Sequence, residues 1–222
     1  MHSDNDNQPS PRVGAEIAPA DLMHPTLQRV PFTRAGWIFE HKLDGFRALA
    51  RTGASPALLS RNGRSLAEAF PEVLQALATL RVSATVDCEL VLTDGDGKPA
   101  WERLRRRAMV RRVAWARDAA AIEPAALCAF DLLQVDGQDL RERPLLERKA
   151  RLAVLLQDTS VVHYVEHIEA HGEALFAKAC ELDLEGVVAK RADSPYRAGR
   201  RPEWLKIKNQ QYSRQEALRF HG

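Results

Sequence analysis

The sequence predicts an α+β domain built from many short strands, and three observations carry that prediction. Apolar and polar residues alternate along 85–92, the two-residue period of a strand with one buried face. The dipeptides Asn62-Gly63 and Asp136-Gly137 stand directly after strand-like runs, where hairpin reversals belong. Stretches of helical period lie between them, over 66–77, 144–156 and 172–182.

Composition bounds the rest. With 222 residues and 45% hydrophobic content there is material for one domain with a substantial core, and no comfortable room for a second. A net charge of +2 says little about nucleic acid, so local clusters must carry that argument. Cys88, Cys128 and Cys180 are scattered without CxxC spacing, against a zinc site or a disulfide framework and in keeping with a reducing, intracellular setting. No apolar run suffices to span a membrane, and the polar start has no secretory character.

Residues 1–15, rich in Ser, Asp, Asn, Gln and Pro, read as a disordered tail, and the domain as 16–208. An irregular lead-in around 20–27 carries His24, read as structural or surface. Trp37-Ile38-Phe39-Glu40 forms a strand that runs through Lys42 into a turn at Asp44-Gly45. Glu40 and Lys42, two apart, share a face if the strand continues. Strands follow at 47–51 and 57–61, then the 66–77 helix and the 85–92 strand. That strand sets Glu89 among apolar neighbours, costly unless it meets a metal, a sugar hydroxyl or a cation.

Asp94-Gly95-Asp96-Gly97 reads as a hairpin turn. As a calcium loop it fails, since Pro99 and Arg105 stand where glycine and glutamate are needed. The arginine-rich run over 101–112 predicts a helix and a basic loop with few acids nearby, suited to phosphate backbones. A largely apolar strand, 126–135, holds Phe130. The 144–156 helix opens on proline. His163, His167 and His171 recur every fourth residue but begin on a strand, so they are read as solvated or structural rather than as metal ligands. Glu185 and Lys190 bracket a buried parallel-type run, and Lys206 and Lys208 share one face of a strand at 204–208.

Several of these stretches together resemble a known family. Alone, Lys42-Leu43-Asp44-Gly45 is ordinarily a charged turn. With Arg47 after it, the run resembles the active-site lysine motif of the covalent nucleotidyltransferases: ATP-dependent DNA ligases, RNA ligases and capping enzymes. Ser60-Arg61-Asn62-Gly63 resembles their Arg-x-Gly element, and Asp87-Cys88-Glu89-Leu90 their Asp/Glu-Gly-Glu-Leu motif, with Cys88 in the glycine's place and expected beside the nucleotide. Phe130-Asp131, Glu185-Gly186-Val187-Val188-Ala189-Lys190 and Trp204-Leu205-Lys206-Ile207-Lys208 resemble the later motifs, in family order. The closest flavour is the bacterial end-joining type.

That resemblance implies an ATP-grasp-like adenylation fold, two mainly antiparallel sheets flanked by helices with the nucleotide between them. It implies that Lys42 takes AMP from ATP and passes it to a 5′-phosphate for nick sealing in DNA repair. It further implies that Glu40, Arg47, Arg61, Glu89, Phe130, Lys190, Lys206 and Lys208 contact the nucleotide, with Phe130 stacked on the purine and Lys190 on a phosphate. Glu89 and Glu185 would hold Mg2+, or Mn2+ in its stead. A lysine partly desolvated among cations is the nucleophile such chemistry needs.

The expected partner is nicked or broken DNA, with RNA ligation left open, in a cytoplasmic, nucleoid-associated monomer. Residues 209–222 read as a tail, too short for the OB-fold domain that ligases carry, so a separate OB-fold or end-binding protein is expected to supply it. The other open reading is a non-catalytic module that binds nucleic-acid ends or a repair partner.

Overall fold

The computed structural model describes residues 16–95, 97–110, 112–157 and 159–213. The expected 1–15 tail and most of the expected C-terminal tail lie outside these residues. In chain order the first elements are β1 (Met23–Leu27), β2 (Trp37–His41), β3 (Phe46–Arg51), β4 (Ala57–Ser60), α1 (Pro71–Thr79) and β5 (Ala84–Val91). Next come α2 (Trp101–Arg107), α3 (Val113–Ile122), β6 (Ala126–Val135), β7 (Gln138–Asp139), α4 (Leu145–Leu155) and β8 (Val162–Tyr164). The last are β9 (Ile168–Glu169), α5 (Gly172–Glu181), β10 (Gly186–Arg191) and β11 (Gly199–Lys208).

The strands make two sheets, ordered β1-β11-β10-β2-β9 and β4-β3-β5-β6-β7, with β8 beside β6. Pairing is antiparallel except for β1 with β11 and β6 with β8. The expected α+β arrangement of two mainly antiparallel sheets with flanking helices is what the chain forms.

Alternation along the strands sorts the side chains onto two faces. In the first sheet, cross-strand partners place Ile38, Glu40, Val188, Lys190, Trp204, Lys206 and Lys208 on one face. Phe39, Val187 and Ile207 take the other, where Val187 and Ile207 pack with Ala179, Leu175 and Phe176 of α5. In the second sheet Arg47 pairs with Glu89 and Leu49 with Asp87, one row apart on one face. Ala48, Val86, Cys88 and Leu90 enter the main core on the opposite face, closed by Val73 and Leu77 of α1. A smaller apolar cluster, with Leu49, Phe130, Tyr196 and Trp204, joins the two sheets.

Several sequence expectations change. The helix expected from residue 66 begins at Pro71, whose ring disfavours helical backbone at Phe70 while fitting the first turn itself. The run 101–112 opens on a helix as expected, α2, which ends at Arg107, and beyond the run comes α3, which periodicity did not signal. The arginines of the run are not all free for phosphates. Arg107 is buried on the carboxylate of Glu72 (2.6 Å), and Arg103 pairs with Glu123, acids distant in sequence. The run 186–191 is antiparallel to both neighbours rather than parallel. Cys88 points into the core, its Sγ 3.1 Å from Ala48 O, and not beside the expected nucleotide site. Residues 209–213 pack back on the domain, with Asn209 and Tyr212 buried. No helix among the described residues is long and apolar enough to cross a membrane.

Candidate active site

The inner faces of the sheets enclose a cleft of about 640 Å³ lined by His24, Lys42, Arg47, Arg61, Glu89 and Lys206, among others. A smaller cavity of about 90 Å³ shares Pro25, Lys42, Arg47 and Glu89 with it and is closed by Glu40, Phe130, Lys190 and Trp204. The cleft has an open, cationic outer part and a narrow inner end.

Lys42 leaves the end of β2 on an irregular loop. Two glycines set the neighbouring backbone. A methyl group at Gly45 would collide with the Leu90 carbonyl, so only glycine lets the loop press against β5. Gly186, at φ +133°, lies against the Ile207 carbonyl and lets β10 start beneath Lys42, whose N–H donates to Gly186 O (2.9 Å).

The Nζ of Lys42 is 2.6 Å from Glu185 Oε2, and Lys208 Nζ lies 3.4 Å from the other oxygen. Lys206 is pulled below the usual lysine range by burial, then by Lys208 and Lys42 beside it. The expected shared face of Lys206 and Lys208 is present, and one carboxylate serves a cluster of cations. Glu40, which the spacing pairs with Lys42, turns elsewhere: it is buried between Lys149 (2.6 Å) and Lys190 (2.6 Å).

Lys190 sits at the level of Trp204, two residues from Lys206 and so roughly 7 Å along the strand. Its Nζ lies 4.3 Å from the Phe130 ring and 4.2 Å from the Trp204 ring, and misses the direction of a good hydrogen bond to Glu40. Burial pulls its pKa down to about 8, with Lys149 adding to the fall and Glu40 opposing it. The structure places Lys190, for which the resemblance implies a phosphate contact, at the inner end, apart from the outer cations. Trp204 Nε1 is a second buried donor without a hydrogen bond among the described residues.

On the second sheet, Arg47 is clamped by Asp87 through two 2.5 Å bonds and donates to Met23 O (2.9 Å). Burial disfavours its charge, yet Asp87 more than offsets this. The Tyr196 hydroxyl donates to the same carboxylate (2.6 Å) and accepts from Met23 N (2.9 Å). Glu89 faces the cleft with no hydrogen bond to its carboxylate among the described residues; burial raises its pKa to about 7 against the pull of Arg47 and Lys42. Arg61 lines the outer cleft, its N–H held by Arg47 O (3.0 Å).

Sequence reasoning missed Lys149, Asp87, Tyr196 and Arg200, and placed His24 outside the site. His24 and Arg200 line the outer cleft. Asp87 alone had a signal: it is two residues before Glu89 on one strand and so shares its face.

Comparison with known proteins bears on the family and the fold. The family described as ATP dependent DNA ligase domain matches residues 21–208. The chain is 36% identical over 181 residues to the multifunctional non-homologous end joining protein LigD of Pseudomonas aeruginosa, covering 80% of this chain and 20% of that protein. It is 31% identical to the SPbeta prophage-derived DNA ligase-like protein LigB of Bacillus subtilis, covering 82% of this chain and 65% of that one. A mycobacterial DNA ligase D structure complexed with ATP and MES superimposes with a TM-score of 0.72 at 29% identity, over 88% of this chain and 62% of that one. The chain thus spans between a fifth and about two thirds of the length of these relatives. On the match over 21–208, the chain belongs to the ATP-dependent DNA ligase domain family.

Proposed function

We propose that this chain performs the nucleotidyl transfer of an ATP-dependent DNA ligase, with Lys42 as the nucleophile. The observation that carries the reading is the placement of Lys42 between the sheets, beside Glu185 and the Lys206–Lys208 pair and at the junction of both cavities. In the first step the Lys42 amine, having released its extra proton, attacks the α-phosphorus of ATP. An N–P bond forms, the bond from that phosphorus to the bridging oxygen breaks, and pyrophosphate leaves with the electron pair. The nitrogen's remaining surplus proton goes to an adjacent base or to water. Lys206, Lys208 and Arg61 neutralise charge on the phosphoryl oxygens.

The inner cavity suits the purine. Phe130 offers a ring face, and Lys190 Nζ and Trp204 Nε1 offer donors for ring nitrogens. A divalent cation fits the outer part: Glu89, unpaired by hydrogen bonds among the described residues, and Glu185 are hard oxygen donors. Magnesium or manganese held there would supply charge neutralisation of the triphosphate. The acceptor we assign is a 5′-phosphate at a DNA nick or break, in line with the relatives named DNA ligase and end joining protein.

Intact-protein mass after incubation with ATP and magnesium tests the first step. The wild type is expected to gain one AMP, and Lys42→Ala none. An unchanged mass in folded protein that was not already adenylated would overturn the reading and leave the non-catalytic binding module. Sealing of nicked DNA against nicked RNA by the adenylated protein then decides the acceptor.

A further inference from the structure

The loop that carries Lys42 and the turn that carries Glu185 are tied together by a third segment, residues 209–213, none of which lines the cleft. Asn209 donates its backbone N–H to Glu185 O (2.9 Å) and its side-chain Nδ2 to Leu184 O (3.1 Å). Its Oδ1 accepts from Gln211 N (2.9 Å), which fixes the reversal of the chain. Ser213 donates from N (3.0 Å) and Oγ (2.6 Å) to the Asp183 carboxylate. Between these anchors Tyr212 turns inward and donates its hydroxyl to Asp44 Oδ2 at 2.8 Å. Asp44 is buried and lies two residues beyond Lys42.

We propose that Tyr212 is a positioning residue for the nucleophile: through Asp44 it holds the 42–45 loop against the 183–186 turn, and so keeps Lys42 Nζ beside Glu185. This deepens the adenylation reading and rests on it for its kinetic consequence. The 42–44 stretch has no regular structure of its own, and its path is set from outside. The Gly186 carbonyl holds one end and the close approach of Gly45 to Leu90 the other. Tyr212 supplies a hold between them, by a hydrogen bond to a carboxylate, the stronger kind. Burial raises the Tyr212 pKa to about 12, with Glu185 and Asp183 adding to it, so the hydroxyl remains a donor across neutral pH. The same segment grips the Glu185 turn by four hydrogen bonds, two from Asn209 and two from Ser213, so a shift at Tyr212 is felt where the reacting amine and its carboxylate meet.

Tyr212→Phe removes only the hydroxyl. Two readouts test it. The first is the single-turnover rate of lysyl-AMP formation at saturating ATP, with the ATP concentration giving half that rate. The second is competitive acetylation of Lys42 against the exposed Lys178, read by peptide mass without ATP. We expect Tyr212→Phe to slow adenylation about tenfold at unchanged ATP affinity, and to raise labelling of Lys42 relative to Lys178 severalfold as the amine leaves Glu185. Asp44→Asn should slow the reaction too, and the double variant should be no slower than the slower single one. An unchanged rate and unchanged labelling in folded Tyr212→Phe would overturn the proposal. So would a slower rate that merely follows lost ATP affinity and lost thermal stability, with labelling unchanged. A wild type that forms no adduct refutes the adenylation reading instead. The labelling shift still decides whether Tyr212 positions Lys42.

Discussion

The two ends of the cleft hold similar charged residues and treat them in opposite ways. At the inner end the side chains of Lys149, Lys190 and Glu40 are 1%, 2% and 3% exposed, and the two cations grip the one Glu40 carboxylate, each at 2.6 Å, out of reach of water. At the outer end Lys42 and Lys208 are 21% and 31% exposed and share the single carboxylate of Glu185, with Lys206, Arg61 and Arg200 nearby to leave a positive excess. The inner charges are closed into the interior, behind aromatic rings and two buried donors, Lys190 Nζ and Trp204 Nε1. The outer charges await an anion. A buried ammonium without its partner is costly, whereas an exposed one is not, so stability should be written into the inner end and chemistry into the outer.

The sharpest break in that comparison is Glu40→Gln. It would strand Lys149 and Lys190 in the interior, and loss of one partner from a buried ion pair destabilises by about 3–5 kcal/mol. Urea unfolding at pH 7 measures it; a loss under about 1 kcal/mol would mean the triad is not a structural unit. The pH dependence is a second check. Burial alone would raise the Glu40 pKa, but Lys190 and Lys149 outweigh it and hold it below the usual carboxylate range. A carboxylate depressed in the fold contributes stability above its unfolded value, lost as pH falls through the folded value. The gap between wild type and variant should therefore narrow in acid.

Lys206→Ala is the counterpart at the outer end. Loss of one preorganised charge at a transferring phosphoryl group slows the step about 10²-fold, while stability should stay within about 0.5 kcal/mol because the cation is only partly buried among like charges. Quenched-flow adenylation beside thermal unfolding separates the two effects. A large loss of stability with little loss of rate would reverse the roles assigned to the ends.

The outer end was legible in the sequence and the inner end only in part. Lys206 and Lys208 lie on one strand, where local alternation dictates a shared side, and Lys42 was marked by its motif rather than by alternation, since it stands on a loop past β2. The Glu40 partnership was not legible: proximity to Lys42 suggested that pair, but its actual partners come from α4 and β10, more than a hundred residues away in sequence. Arg107 and Arg103 mislead for the same reason, since Glu72 and Glu123 approach only after folding. Helix α3 escaped because its buried contacts fall largely on alanines, which leave little periodic contrast. Gly45 was legible as a turn, whereas its closer constraint, the Leu90 carbonyl, belongs to another strand.

Glu89 lines both cavities and so tests where one end gives way to the other. Burial pushes its pKa up to about 7. A carboxyl group raised in the fold binds a proton that the unfolded chain has already lost, so stability falls as pH rises from about 4.5 to about 7 and the deficit persists above that. Glu89→Gln has no such proton to lose. It should be more stable than the wild type by on the order of 2 kcal/mol at pH 8, with the difference gone at pH 4. Magnesium sharpens the test without any turnover. If Glu89 holds the cation, added magnesium should raise the wild-type unfolding midpoint at pH 8 and leave that of Glu89→Gln nearly unmoved, because binding to the folded state alone stabilises it. A variant that tracks the wild type at every pH would show that Glu89 is solvated like the outer cations. The boundary between the two ends would then lie deeper, at the Phe130 ring.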